Sequence, residues 1–251
     1  MGAIAVVVAG GPLVAPWSGA PPPFDRVIAV DGGLDAALDA GLEPTVLLGD
    51  LDSVSSAGLA WATDRGLPVV RHPTDKDDTD TALALADVAS SPDLSTTDVV
   101  VLGASAIDRF DHLLGTLLAL GAPSLAAARS ITAHLGATQV HVLHPGRACT
   151  LSVGAGRTVS LLALHGACTG VHISGVRWPL VDHTLSASST LGVSNEIVAD
   201  VAVVTHSERA TGVLTVVIPP PFGAPAGSSS LSTSLSTSLS TSLDAPLTEA
   251  I

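Results

Sequence analysis

Residues 49–53 read Gly49-Asp50-Leu51-Asp52-Ser53, two carboxylates two residues apart behind an apolar run. Extended backbone would put both on one face, and a turn can likewise aim both at one hard cation, Mg²⁺ or Ca²⁺. Asp31-Gly32-Gly33 follows a second apolar run, and Asp75-Lys76-Asp77-Asp78-Thr79-Asp80 sets the chain's single lysine among four aspartates. Thr79-Asp80 opens a helical pattern; its free N–H groups suit an anion, while a plain cap with first-turn acids is the ordinary alternative. Arg109-Phe110-Asp111-His112 opens another helix. There Arg109 either clamps a phosphate through two parallel N–H bonds or forms a simple helix-end ion pair.

The balance of the 251-residue chain narrows the field. With 10 basic and 23 acidic side chains the formal charge is −13, which offers no general nucleic-acid surface. Residues 25–111 hold 17 acidic and 5 basic side chains, so the excess sits in the N-terminal half. Aromatic residues are only 2% of the chain, too few for base-stacking platforms. No apolar run reaches the ~18–20 residues of a membrane span, and no signal-type leader is expected. Cys149 and Cys168 alone build neither a disulfide framework nor a zinc site. Two free thiols in a cytoplasmic protein is the expectation.

The elements that must position the acids alternate regularly. Apolar runs at 3–9 and 26–30 read as buried strands, and those at 45–48, 68–71 and 98–102 as further strands. Helices are expected over 34–40, from Ser55 or Ser56 to Arg65, over 78–89 and over 110–120. This order argues for a parallel α/β sheet, in which ligands bind beyond the carboxyl ends of the strands. Asp31, Asp50, Asp52, Asp80 and Asp111 would then share one edge, whereas a solvated surface would scatter them. After about residue 130 short β-rich runs at 139–143, 158–164 and 213–218 suggest a small antiparallel sandwich or barrel. The expected organisation is an α/β domain over 1–128, a β-sandwich domain over 129–220 and a Ser/Thr/Leu-rich tail over 221–251, which is expected to be disordered or weakly packed.

Several chemistries lose their main support. The chain has no Gly-Lys-Ser/Thr phosphate loop, no Gly-x-Gly-x-x-Gly, no His-Glu-x-x-His and no Gly-x-Ser-x-Gly. The four acidic segments, in this order and spacing, resemble those of the thiamine pyrophosphokinase family. Residues 175–180, Gly-Val-Arg-Trp-Pro-Leu, and residues 192–196, Gly-Val-Ser-Asn-Glu, are similar to that family's thiamine-binding segments. The resemblance spans roughly residues 6–218 and departs at Ile107-Asp108, where the family often carries Gly-Gly.

The resemblance implies transfer of the pyrophosphoryl group of ATP to thiamine, giving thiamine diphosphate and AMP. It implies an α/β domain followed by a β-sandwich, working as a homodimer with active sites between subunits. By motif, Asp50, Asp52 and Asp80 would hold Mg²⁺, with Asp31 and Gly32 nearby. Thr79, Arg109 and Asp111 would line the nucleotide path. Ser194 and Asn195 would contact thiamine, as would Trp178 unless it packs in the core. Two other readings remain: a Mg²⁺-dependent phosphohydrolase using Asp50 as nucleophile, and a non-catalytic thiamine or nucleotide sensor.

Overall fold

The structure is a computed structural model describing residues 2–8, 13, 16–17, 20–103 and 109–221. The Gly10-Gly11 turn, the Ile107-Asp108 departure and nearly all of the 221–251 tail lie outside the described residues. Fourteen strands occur among them: β1 Gly2–Val8, β2 Arg26–Val30, β3 Val46–Gly49, β4 Val69–Arg71, β5 Thr97–Gly103, β6 Ser130–Leu135, β7 Thr138–Leu143, β8 Ala148–Leu151, β9 Thr158–Leu162, β10 Cys168–Ser174, β11 Leu180–Leu185, β12 Asn195–Glu196, β13 Ala202–His206 and β14 Leu214–Ile218. Four α-helices accompany them: α1 Gly33–Asp39, α2 Ser56–Asp64, α3 Asp80–Ala89 and α4 Phe110–Leu120.

Ten strands form one sheet in the order β12-β9-β14-β7-β6-β5-β1-β2-β3-β4. From β6 through β4 its neighbours are parallel, and from β6 to β12 antiparallel. A separate four-stranded antiparallel sheet has the order β11-β10-β13-β8. The mixed α/β class expected from sequence therefore holds, and one layer of the sandwich is the continuation of the main sheet. The hinge is β6, which hydrogen-bonds parallel to β5 and antiparallel to β7. Its alternating burial, Ile131, Ala133 and Leu135 inward, supplies the parallel half's core without a continuous apolar run.

Apolar residues of β1, β2 and β3 alternate between two cores, as strands buried on both faces must. Ile4, Val6, Val8, Ile28, Val30 and Leu48 pack with Leu85 and Val88 of α3 and Leu120 of α4. Ala5, Val7 and Val27 meet Ala37 of α1, while Leu34, Leu47 and Ala62 form a neighbouring cluster that reaches α2. In the C-terminal half Val159, Leu161, Leu214 and Val216 of the main sheet bury against Val171, Ile173, Ala202 and Val204 of the second sheet. α2 and α3 begin where their caps dictate: the Ser55 hydroxyl accepts from Gly58 N (2.9 Å) and the Thr79 hydroxyl from Ala82 N (3.2 Å). Among the described residues no helix is long and apolar enough to cross a membrane. Both cysteines are free thiols, and burial pushes the Cys149 thiol up to about 12.

His134 and His141 share one face of the β6–β7 pair, since His134 lies opposite Gln139 and Gln139 and His141 are two apart. Burial lowers both rings to about 4. The unfolded chain, with rings near 6.5, binds protons more readily, so this contribution to stability is complete above pH 6.5 and is lost as pH falls toward 4. Urea unfolding midpoints are expected to drop between pH 7 and pH 5, and His134→Gln should flatten that slope. An identical slope in the variant would contradict the assignment.

Candidate active site

β2 ends at Val30, and Asp31 follows with φ +46°, a left-handed conformation that aspartate tolerates better than most side chains. This turn lays its carboxylate over the end of β3. Asp31 Oδ1 accepts from Leu51 N at 2.9 Å, and Asp31 N donates to Leu48 O at 3.0 Å. Leu51 is itself left-handed, at φ +69°. That is the turn which lets Asp50 and Asp52 cooperate: Asp52 N donates to Asp50 Oδ1 at 3.1 Å. Gly49 sits beneath Asp31, with φ +140°, where an added Cβ would fall 1.8 Å from Asp31 Oδ1.

The segment after β4 brings in the remaining charges. Lys76 Nζ lies 2.9 Å from Asp80 Oδ2 and 3.8 Å from Asp50 Oδ2, and donates to Pro73 O at 3.0 Å. The turn after β4, not helical spacing, makes this pair, and Lys76 is the site residue that the motif reading left without a role. Asp31 is pushed up to about 6, first by burial and then by the charges of Asp80, Asp50 and Asp52, against the opposing Leu51 N–H bond. Asp50 is held below the ordinary carboxylate value, chiefly by the Asp52 N–H, with help from Thr74 and Lys76. Asp80 bonding to its amine holds Lys76 above the usual range.

Asp31, Asp50, Asp52 and Asp80 thus meet at the carboxyl ends of β2 and β3, as the alternation of strands and helices implies. Two observations fit a hard divalent cation among them. Asp80 Oδ1 is buried with no hydrogen-bond partner, and the four like charges crowd closely enough to raise Asp31. Among the described residues no three His, Cys, Asp or Glu side chains are gathered as a ready metal cage. A site for Mg²⁺ does not require one, because that ion keeps waters and commonly shares one or two carboxylates with substrate phosphates.

Arg109 and Asp111 take the helix-end alternative. Arg109 Nε and Nη2 donate to the two Asp111 oxygens at 3.1 and 2.6 Å on an exposed surface at the start of α4. This pairing lowers Asp111 and raises Arg109. No contact joins them to the four-aspartate cluster among the described residues. Thr79 uses its hydroxyl as the α3 cap, and Gly32 N donates to Ser53 Oγ at 3.0 Å.

The two segments singled out in the C-terminal half lie side by side. Val176 bridges Ile197, and Arg177 N donates to Glu196 O at 2.8 Å. The Asn195 amide is spent on the neighbouring turn: Oδ1 accepts from Trp178 N (3.1 Å) and Glu196 N (2.9 Å), and Nδ2 donates to Trp178 O (2.7 Å). Arg177 pairs with Glu196 at 2.9 Å and stands over the indole, 5.6 Å from its centroid. Trp178 is no core residue; it is 57% exposed. Ser194 is left-handed at φ +61°, its N–H bound to Ser160 Oγ at 3.0 Å.

An acid-lined edge at the ends of parallel strands, joined through the same sheet to a β-sandwich, defines a two-part α/β protein that gathers negative charge at its ligand edge. Comparison with known proteins is specific. Residues 23–131 match the model for the thiamin pyrophosphokinase catalytic domain and residues 141–209 that for the thiamin pyrophosphokinase vitamin B1 binding domain. The thiamine pyrophosphokinase of Bacillus subtilis (strain 168) is 27% identical over 198 residues, 76% of this chain and 88% of the relative. A crystal structure of thiamine pyrophosphokinase from Bacillus subtilis shares the fold at TM-score 0.68 and 23% identity, covering 87% of this chain and 99% of that one. The Candida albicans structure does so at TM-score 0.66 and 11% identity, covering 86% and 89%. The chain belongs to the thiamine pyrophosphokinase family.

Proposed function

We propose that this chain transfers the pyrophosphoryl group of ATP to the hydroxyl of thiamine, releasing AMP. The observation that carries the reading is the meeting of Asp31, Asp50, Asp52 and Asp80 at one strand-end edge in a chain matched by both models of the family. Asp50, Asp52 and Asp80 would hold Mg²⁺, with Asp31 behind them. Held by these residues, such an ion would supply Lewis-acid neutralisation of the charge that develops on phosphate. Lys76 already screens Asp50 and Asp80, which lessens the repulsion that a polyphosphate meets at this edge. Arg109, on the exposed start of α4, is a bidentate donor that exchanges Asp111 for phosphate oxygens, and Asp111 so released can accept a proton. The Thr79 cap fixes where α3 presents its free N–H groups along the nucleotide path.

For thiamine, Trp178 offers an exposed flat face, Asn195 fixes the turn that carries it, and Ser194 stands at the neighbouring left-handed turn. Asn195→Ala is expected to raise the KM for thiamine about tenfold while leaving the KM for ATP unchanged, since roughly 1.4 kcal/mol of positioning is lost. Equal changes in both constants would point to general unfolding instead.

Sheet order argues that two chains share each site. β12, beside Trp178, and β2, which delivers Asp31, stand seven strand spacings apart in the ten-stranded sheet. At ~4.8 Å per spacing this is roughly 30 Å, beyond the reach of one thiamine–ATP pair. Exposed apolar side chains on α4 (Phe110, Leu114, Leu118) and around the Trp178 turn (Leu191, Val193, Val198) suit burial by a second copy. These observations support a homodimer with composite sites.

The decisive experiment measures AMP and thiamine diphosphate from ATP, Mg²⁺ and thiamine, with thiamine omitted as control. Both products appearing only with thiamine is the expected result. Phosphate release without thiamine would indicate a hydrolase, and saturable binding without turnover a sensor.

A further inference from the structure

The loop that carries Asp50 and Asp52, residues 50–55, is neither strand nor helix, and among the described residues no backbone–backbone hydrogen bond reaches residues 50–54. Its apolar side is settled by Leu51 and Val54, which are buried with Leu34 of α1 and Leu47 of β3. Its polar side is held at every second residue by the turn that opens α1. Leu51 N donates to Asp31 Oδ1, Ser53 Oγ accepts from Gly32 N at 3.0 Å, and Ser55 N donates to Asp35 Oδ2 at 2.9 Å. Asp31 belongs to the acidic cluster itself. Asp35, one helical turn further on, stands outside it.

Asp35 takes two bonds from one residue. Besides Ser55 N on Oδ2, the Ser55 hydroxyl donates to Oδ1 at 2.5 Å. A hydroxyl has a single proton to donate and two lone pairs with which to accept. With its proton committed to Asp35, Ser55 Oγ turns a lone pair toward Gly58 N, from which it accepts at 2.9 Å as the cap of α2. The first turn of α2 closes on the carboxylate at the same point, since a Cβ added to Gly58 would fall 2.7 Å from Asp35 Oδ1. Asp35 therefore fixes the far end of the acidic loop and the start of the helix after it, while Asp31 fixes the near end at Leu51. A short segment without backbone bonds of its own takes its path from the points at which it is pinned. That path decides where Asp50 and Asp52 point.

We propose, resting on the metal assignment above, that Asp35 is a positioning residue for the cation site. Its paired bonds to Ser55 hold the 50–55 loop in the register that brings Asp50 and Asp52 together beside Asp80. Removing a group that orients metal-ligating side chains commonly lowers metal affinity or activity by roughly 10–100-fold. Asp35 acts through the loop and not on a ligand directly, so the lower end of that range applies.

Wild type, Asp35→Ala and Asp35→Asn are compared as full chains. Both Asp35 bonds lie near the surface, so their loss strands no buried group and the variants should fold. Amide hydrogen exchange of the metal-free proteins is read by mass spectrometry. Peptides covering residues 50–58 of Asp35→Ala should exchange about tenfold faster than wild type, while peptides from β5 and β14 keep wild-type rates. At saturating ATP, the Mg²⁺ concentration for half-maximal turnover should rise about tenfold with the KM for thiamine unchanged. An asparagine can still accept from Ser55 N through Oδ1 and donate to Ser55 Oγ through Nδ2, so Asp35→Asn should stay within about threefold of wild type in both measurements. Unchanged exchange over residues 50–58 in Asp35→Ala would overturn the proposal. So would equal rises in Mg²⁺ requirement and thiamine KM, or a loss in Asp35→Asn as large as that in Asp35→Ala. A wild type inert toward thiamine would strike the pyrophosphoryl-transfer reading instead, and the exchange result would still decide the role of Asp35. Asp35→Ser, too short to reach both groups of Ser55, repeats the comparison if Asp35→Ala does not fold.

Discussion

Asp50→Ala and Asp80→Ala are each expected to lower turnover by about 10³-fold or more while the chain stays folded. A divalent ion held by these carboxylates would supply several kcal/mol of charge stabilisation in the transition state, and each 1.4 kcal/mol is a factor of ten in rate. The fold has little at stake in either carboxylate. Asp80 Oδ1 is buried without a partner, so its removal leaves no bond unmade there, and removing either carboxylate relieves its repulsion with Asp31, which offsets the lost pairing with Lys76. Circular dichroism and melting temperature should therefore stay close to wild type as activity collapses. Near-normal rates in both variants would remove the metal assignment.

Asp80→Ala mixed with a second variant, Trp178→Ala, tests whether each site is shared between chains. Asp80→Ala spoils the acidic edge and Trp178→Ala the exposed aromatic turn, and the two lie toward opposite ends of the sheet. In a two-fold dimer with composite sites, a mixed pair has one site made wholly of intact halves. Equal mixing with subunit exchange should then restore about a quarter of the wild-type rate, although each variant alone is nearly dead. Mixtures no more active than the average of their parts would place each site within one chain.

What the sequence disclosed follows from how strongly each feature marks the chain. Strands buried on both faces, such as Arg26–Val30 and Val46–Gly49, appear as continuous apolar runs that stop abruptly at Asp31 and Asp50, so the strand-end edge was legible. β6 was not singled out, because Ser130, Thr132 and His134 alternate with its apolar residues and break the run, and nothing local says that it pairs with β5. β10, β11 and β13 were missed for a similar reason: short alternating stretches acquire their partners only through contacts distant in sequence. Within the site, residue types gave the carboxylates but not the company they keep. Lys76 reaches across to Asp50 because the turn after β4 folds back, and Arg109 turns to Asp111 because both are exposed at one helix start. Trp178 illustrates the reverse. Its type favoured the core, yet it is exposed on a turn that the Asn195 bonds help to fix.

Gly49→Ala should be the most damaging single-methyl change in the acidic edge, for two separable reasons. The backbone at φ +140° lies in a region that L side chains rarely adopt, costing of order 1–3 kcal/mol. The new Cβ would also fall 1.8 Å from Asp31 Oδ1, so the carboxylate must leave and with it the bond to Leu51 N at 2.9 Å. The combined cost, about 3 kcal/mol, is expected to lower the melting temperature by roughly 6–12 °C. Turnover should fall steeply as well, because Leu51 N anchors the turn on which Asp50 and Asp52 stand. A double-mutant cycle separates the causes. Asp31→Ala removes the steric conflict but not the backbone strain, so adding Gly49→Ala to it should cost about half of what it costs in the wild type. Full additivity would show that Asp31 does not rest on Gly49, and the geometry that gathers the four aspartates would then need another support.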